Sequence, residues 1–148
     1  MRPTVKFKKL HPDAKLPTYA TAGSAGADLY ACNDDPITVW TGAEAVLIPT
    51  GLSMELPPGY EAQIRPRSGL SLKGISVANS PGTVDEDYRG EVKVIVRNHG
   101  HTIVVHKGEK IAQMVICPVE QAVFEDVGEE TLSDTERGQG GFGSTGTR

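Results

Sequence analysis

Five short stretches hold residues whose types suit neither a strand face nor a core. In "GSAGADLYA", residues 23–31, a single carboxylate, Asp28, stands among small residues. A turn with an Asx-type hydrogen bond explains such an Asp, and so does an acid held in a binding site. In "RPRSGLSLKG", residues 65–74, Arg67, Ser68 and Gly69 follow a proline at the start of a short helical stretch. A guanidinium, a hydroxyl and unpaired backbone N–H groups suit a phosphate oxygen, although a capped surface helix uses the same residues. "ANSPGTVDEDYRGEV", residues 78–92, carries the most chemistry: Asn79 precedes a Pro81–Gly82 turn, followed by Val84, Asp85, Asp87, Tyr88, Arg89 and Gly90. Turn residues and a Tyr capping a core account for this hairpin structurally. Two carboxylates and a phenol together also make a pocket wall with a general base in it.

The fourth stretch, "GEKIAQMVI", residues 108–116, sets Gln113 in an apolar strand. Its amide either points outward or needs buried partners. The fifth, "RGQGGFGSTGTR", residues 137–148, contains five glycines beside an Arg, a Phe, a Ser and a Thr. Such a composition describes a frayed end, and equally a backbone that can approach phosphate closely. It lacks the GK[ST] ending of a Walker loop. The four His residues have no metal-ligand spacing.

The elements that must position these residues read as short strands. "TVKFKKL" alternates. "AVLIPTGLSMELPPGYEAQIR" reads as three strands broken at Pro49–Gly51 and Pro57–Gly59. "EVKVIVRNHG" sets Val92, Val94 and Val96 on one face, and "HTIVVHKGEKIAQMVICPVE" adds two strands around Gly108. Regular short strands with plentiful Gly and Pro predict an all-β, jelly-roll-like sandwich or barrel with one short helix in "SGLSLKG". The acidic stretch 125–136 reads as a solvated arm leading into the Gly-rich end.

A chain of 148 residues is most simply one domain with a real core. Its net charge of −4 provides no global positive field for nucleic acid or anionic membrane, so any anionic ligand must be met by local cations or a metal ion. Cys32 and Cys117 lie far apart and read as buried thiols in a reducing compartment, most simply the cytoplasm. No apolar run reaches the length of a membrane span, and the N-terminal residues show no signal-peptide pattern.

Taken in order, "AGADLYA", "PRSGLSLKG", "GTVDEDYRGEV", "GEKIAQ" and "RGQGGFGSTG" resemble the five motifs of the homotrimeric deoxyuridine triphosphatase (dUTPase) family, across residues 25–146. The departures are Lys110, where an Arg is common, and Glu109, where an Asp is common. The resemblance implies a jelly-roll-like distorted β-barrel and a homotrimer with sites shared between subunits. It divides the chain into a β-domain, 1–136, and an arm, 137–148, that closes over the site of a neighbour. It also implies Mg²⁺-assisted hydrolysis of dUTP to dUMP and pyrophosphate, which limits uracil in DNA and supplies dUMP for thymidylate.

In the family's roles, Asp85 matches the catalytic carboxylate that activates water for attack on the α-phosphorus. Asp28 matches an outer-shell anchor for the waters of a Mg²⁺ held mainly by substrate phosphates. Arg67, Ser68, Gly69 and Gln113 match phosphate contacts, Arg137, Ser144 and Thr145 match those on the γ-phosphate, and Gly143 matches a substrate-binding position between them and Phe142. Tyr88 matches the residue beneath the deoxyribose, Asn79, Gly82 and Val84 those reading the uracil edge, and Phe142 the ring stacked on the base. Three rivals stand beside it: a deoxycytidine triphosphate deaminase, which shares fold and nucleotide class; a non-enzymatic nucleotide sensor or protein-interaction module on the same scaffold; and a generic jelly-roll carbohydrate binder, which leaves the order of the five motifs unexplained.

Overall fold

The computed structural model describes residues 2–146. Ten strands and one helical turn follow one another: β1 Lys6–Lys9, β2 Ala27–Tyr30, β3 Ile37–Val39, β4 Val46–Glu55, β5 Tyr60–Arg65, α1 Ser68–Ser71, β6 Ile75–Val77, β7 Gly82–Val84, β8 Glu91–Asn98, β9 Ile103–Val105 and β10 Lys110–Pro118. They form two four-stranded sheets, ordered β1-β4-β8-β6 and β2-β10-β5-β7, and a two-stranded ribbon, β3-β9. Each strand pairing is antiparallel. The result is the expected all-β, jelly-roll-like fold with its short helix.

The alternation predicted for 91–98 holds: Val92, Val94 and Val96 are buried, while Lys93 and Arg97 are exposed. Their faces meet Leu29, Ile48, Ile64, Ala112 and Met114 in one apolar cluster between the sheets. Asn98 continues the inward register and is fully buried, but its amide is satisfied. Its Nδ2 donates to the carbonyls of Val39 (2.9 Å) and His101 (2.8 Å), and its Oδ1 accepts from the Gly100 N–H (2.8 Å).

One expectation about the strands is corrected. The predicted break at Pro49–Gly51 does not end a strand; β4 runs through it with a register shift between Pro49 and Ser53. Gly51 adopts φ +67 there, which glycine tolerates without steric cost. Side chains replace the interrupted ladder. Thr50 Oγ1 donates to the Val92 carbonyl (2.6 Å), Ser53 Oγ donates to the Arg89 carbonyl (2.7 Å), and the Gly51 N–H donates to Glu91 Oε1 (2.9 Å). Such bulges re-aim the chain locally, and this one anchors the end of the 78–92 hairpin.

Beyond Pro118 the described residues form no strand or helix and are almost all exposed, as expected for a solvated arm. Cys32 is buried as expected, whereas Cys117 is only half-buried; both are free thiols. Among the described residues, no helix is long and apolar enough to cross a membrane.

Candidate active site

Strand β10 lies between β2 and β5, and its register sets Gln113 opposite Asp28 on one side and opposite Arg65 on the other. Antiparallel pairing therefore brings the first, second and fourth chemistry-bearing stretches to one place. There a cleft of about 400 Å³ is lined by Asp28, Arg67, Ser68, Gly69, Lys110 and Gln113, among others. The Gln113 side chain is half-buried, and its Nε2 donates to the Pro66 carbonyl (2.9 Å), tying β10 to the turn that enters α1. A Cβ at Gly26 would collide with the Gln113 amide, so that glycine is what leaves room for it.

Asp28 is buried, and each of its oxygens meets a cation: Oδ1 accepts from Arg67 Nε (3.0 Å) and Oδ2 lies 2.8 Å from Lys110 Nζ. Burial pushes its pKa up, but the Lys110 hydrogen bond and the charges of Arg67 and Lys110 outweigh this and hold the carboxyl below its ordinary value. Lys110 was missed as a site group in the sequence reading. In a regular strand, residues three apart point to opposite faces. A register shift between Lys110 and Ala112 allows Lys110 and Gln113 to reach the same cleft. The motif spacing "GEKIAQ" was the available signal.

Arg67 occupies the N-cap of α1 and makes no side-chain capping bond, so its guanidinium is free to reach Asp28. The following residues, Ser68 and Gly69, are exposed at the rim, where the first N–H groups of a helical turn have no intrahelical acceptor.

The third stretch forms a separate wall. Asp85 is exposed and lines a hollow of about 710 Å³ with Thr83, Glu86 and Asp87 on one side and Tyr60 and Glu61 on the other. It does not share the cleft of Asp28. Val84 is half-buried against the core, and the Asn79 amide sits over Gly82, where an added Cβ would come within 3.0 Å of Nδ2. Tyr88 Oη donates to the Glu91 carbonyl (2.9 Å) and Arg89 Nη1 to the Glu86 carbonyl (2.7 Å), so residues 85–91 fold back on themselves.

The described residues of the fifth stretch line neither the cleft nor the hollow. Arg137 Nε donates to the Gly140 carbonyl (2.8 Å) within the arm, and Phe142, at φ 52, is fully exposed. Gly143, Ser144 and Thr145 are exposed as well. Residues 147 and 148 of the predicted arm lie outside the described residues. Among the described residues, no group of three or more His, Cys, Asp or Glu side chains is placed to hold a metal ion.

The fold and site define an all-β, jelly-roll-like protein whose small cleft gathers a paired carboxylate, two cations, a half-buried amide and helix-start N–H groups. The chain belongs to the dUTPase family, whose family model matches residues 12–146. It is 56% identical over 143 residues to the deoxyuridine 5'-triphosphate nucleotidohydrolase of Hydrogenobaculum sp., covering 95% of this chain and 96% of that one. With the enzyme of the same name from Syntrophotalea carbinolica it shares 50% identity over 145 residues, 97% of each chain. Among solved structures it resembles the Staphylococcus bacteriophage 80alpha dUTPase with dUPNHPP, at a TM-score of 0.86 and 26% identity, covering 97% of this chain and 98% of that one.

Proposed function

We propose that this protein hydrolyses dUTP to dUMP and pyrophosphate. Water adds to the α-phosphorus, the bond to the β-phosphate bridging oxygen breaks, and pyrophosphate leaves. The observation that carries the reading is the convergence of Asp28, Arg67, Ser68, Gly69 and Gln113 on one cleft, in a chain whose relatives at 50–56% identity carry that enzyme's name. Arg67, the Ser68 hydroxyl, the Gln113 amide and the N–H groups at 68–69 receive the α- and β-phosphates.

The donor set fits a Mg²⁺ carried in by the substrate. With one buried carboxylate at the cleft and no three-ligand group among the described residues, the chain cannot cage the ion by itself. Mg²⁺ usually keeps several waters and binds through substrate phosphates. An ionised carboxylate offers about four lone-pair sites, so Asp28 can hold Arg67 and Lys110 and still accept from metal-bound waters. When bound, the ion supplies charge neutralisation at the phosphates.

Asp85 is the proposed general base that orients and deprotonates the attacking water. It lines a different hollow from Asp28 in the same chain, which supports a site completed by another copy in a homotrimer. Tyr88 packs beneath the deoxyribose and excludes a 2′-OH. Asn79 and the backbone at Gly82 and Val84 read the uracil edge, against which cytosine leaves buried groups unpaired. Residues 137–148 form a separate arm that closes over the site, with Arg137, Ser144 and Thr145 on the γ-phosphate, Phe142 on the base and Gly143 against the substrate between them. Its product supplies dUMP for thymidylate synthesis while its substrate is kept from DNA. The free thiols of Cys32 and Cys117 suit a reducing compartment, and the cytoplasm is the proposed location.

The deciding experiment measures pyrophosphate release from dUTP, UTP, dCTP and TTP, with Mg²⁺ and with chelator. Release from dUTP alone, abolished by chelator, is expected. Ammonia release from dCTP in place of dUTP turnover overturns the proposal in favour of a deaminase.

A further inference from the structure

We propose that Gly90 is a specificity-positioning residue, whose missing side chain sets the position of the Tyr88 ring and thereby the discrimination between deoxyribose and ribose. The inference rests on the reading that Tyr88 packs beneath the sugar.

Glycine is required at a position either for its backbone freedom or for the space it leaves. Gly90 is not among the glycines with positive φ, such as Gly51, Gly59 and Gly74, so conformation does not demand it. Space does. A Cβ built on Gly90 would run into Oη, Cζ and Cε2 of Tyr88, and these are its three nearest neighbours. The phenol lies folded back over position 90, held by the bond from Oη to the Glu91 carbonyl (2.9 Å).

The floor beneath the ring cannot give way. The Arg89 carbonyl accepts from Ser53 Oγ, the Glu91 carboxylate accepts from the Gly51 N–H, and the Val92 carbonyl accepts from Thr50 Oγ1. These three bonds fasten the chain on both sides of Gly90 to the bulge of β4. Tyr88 is 45% exposed, so an added methyl displaces the ring toward solvent. If the sugar packs on that open face, a sub-ångström shift of a shape filter alters what passes it.

The test compares kcat/KM for dUTP and for UTP in the wild type, Gly90→Ala, Tyr88→Ala and the double variant, with thermal stability measured on each. Gly90→Ala is expected to narrow the dUTP-to-UTP ratio by roughly tenfold or more, the scale of a misfitted methyl group. In the Tyr88→Ala background the same change should leave the ratio and the stability unaltered, because nothing remains to collide with. That double variant also separates a local clash from a general folding failure. A ratio unchanged in Gly90→Ala but changed in Tyr88→Ala overturns the role of Gly90 alone. If Tyr88→Ala itself leaves the ratio intact, the sugar-packing reading fails, and the specificity inference with it. The stability coupling between the two substitutions then still reports whether their contact exists.

Discussion

Gln113 and Asp28 are register partners across β10 and β2, while Gln113 Nε2 reaches over to the Pro66 carbonyl at 2.9 Å. One residue thus joins three stretches that are distant in sequence, by its strand register and by its side-chain amide. The pair is completed by Lys110, whose Nζ lies 2.8 Å from Asp28 Oδ2. Removing one partner of a buried ion pair can cost several kcal/mol, but Lys110 is partly exposed and Arg67 remains in place. Solvent screening reduces the expected loss. Lys110→Met should therefore destabilise the protein by about 1–2 kcal/mol, read in urea denaturation. Lys110→Arg should restore most of it. Equal losses in both variants would show that charge at this position is not what stabilises the cleft.

The acid limb of stability should depend on Asp28. Arg67 and Lys110 depress its folded-state pKa despite burial. A depressed carboxylate contributes stability that is fully present above its unfolded value of about 3.9 and is lost as pH falls through the folded value. Wild-type unfolding free energy should thus fall as pH drops below about 4. Asp28→Asn, which cannot titrate there, should show a shallower decline over the same range. Parallel curves for the two proteins would remove Asp28 from the account.

Asp85 is exposed and makes no contribution to the core, so its replacement should leave the fold intact. Asp85→Asn is expected to bind dUTP nearly normally by calorimetry while kcat falls roughly 10²–10⁴-fold, the usual worth of a positioned general base. Near-normal turnover would falsify its assignment as the base.

Deleting residues 137–148 should separate folding from catalysis. Among the described residues Arg137 bonds only within the arm, and Phe142 is fully exposed. The melting temperature and oligomeric state of the truncated protein should match those of the full chain, while most dUTP turnover is lost. Full activity without the arm would mean that it closes over nothing.

Much of this protein is determined by local sequence. The alternation in 91–98 places Val92, Val94 and Val96 inward because successive strand residues face opposite sides. The short helix at Ser68 and the strands flanking Gly108 appear where turn chemistry and propensity put them. The stretches bearing Asp28, Arg67, Asp85 and Gln113 stand out because their residue types suit neither core nor strand face.

Tertiary structure decided how those stretches relate. Pro49–Gly51 reads locally as a break, but Thr50, Ser53 and the Glu91 carboxylate satisfy the backbone there, and β4 continues as a bulge. That Asn98 lies buried with every amide bond met depends on carbonyls supplied by β3 and by the turn before β9. Lys110 joins the cleft only through a register shift, which a strand acquires from its partners. The placement of β10 between β2 and β5 brings Asp28, Arg67 and Gln113 together while leaving Asp85 on another wall. Residue type is written locally and can be read along the chain. Distance is set by pairing between strands far apart in sequence, and only the folded structure establishes it.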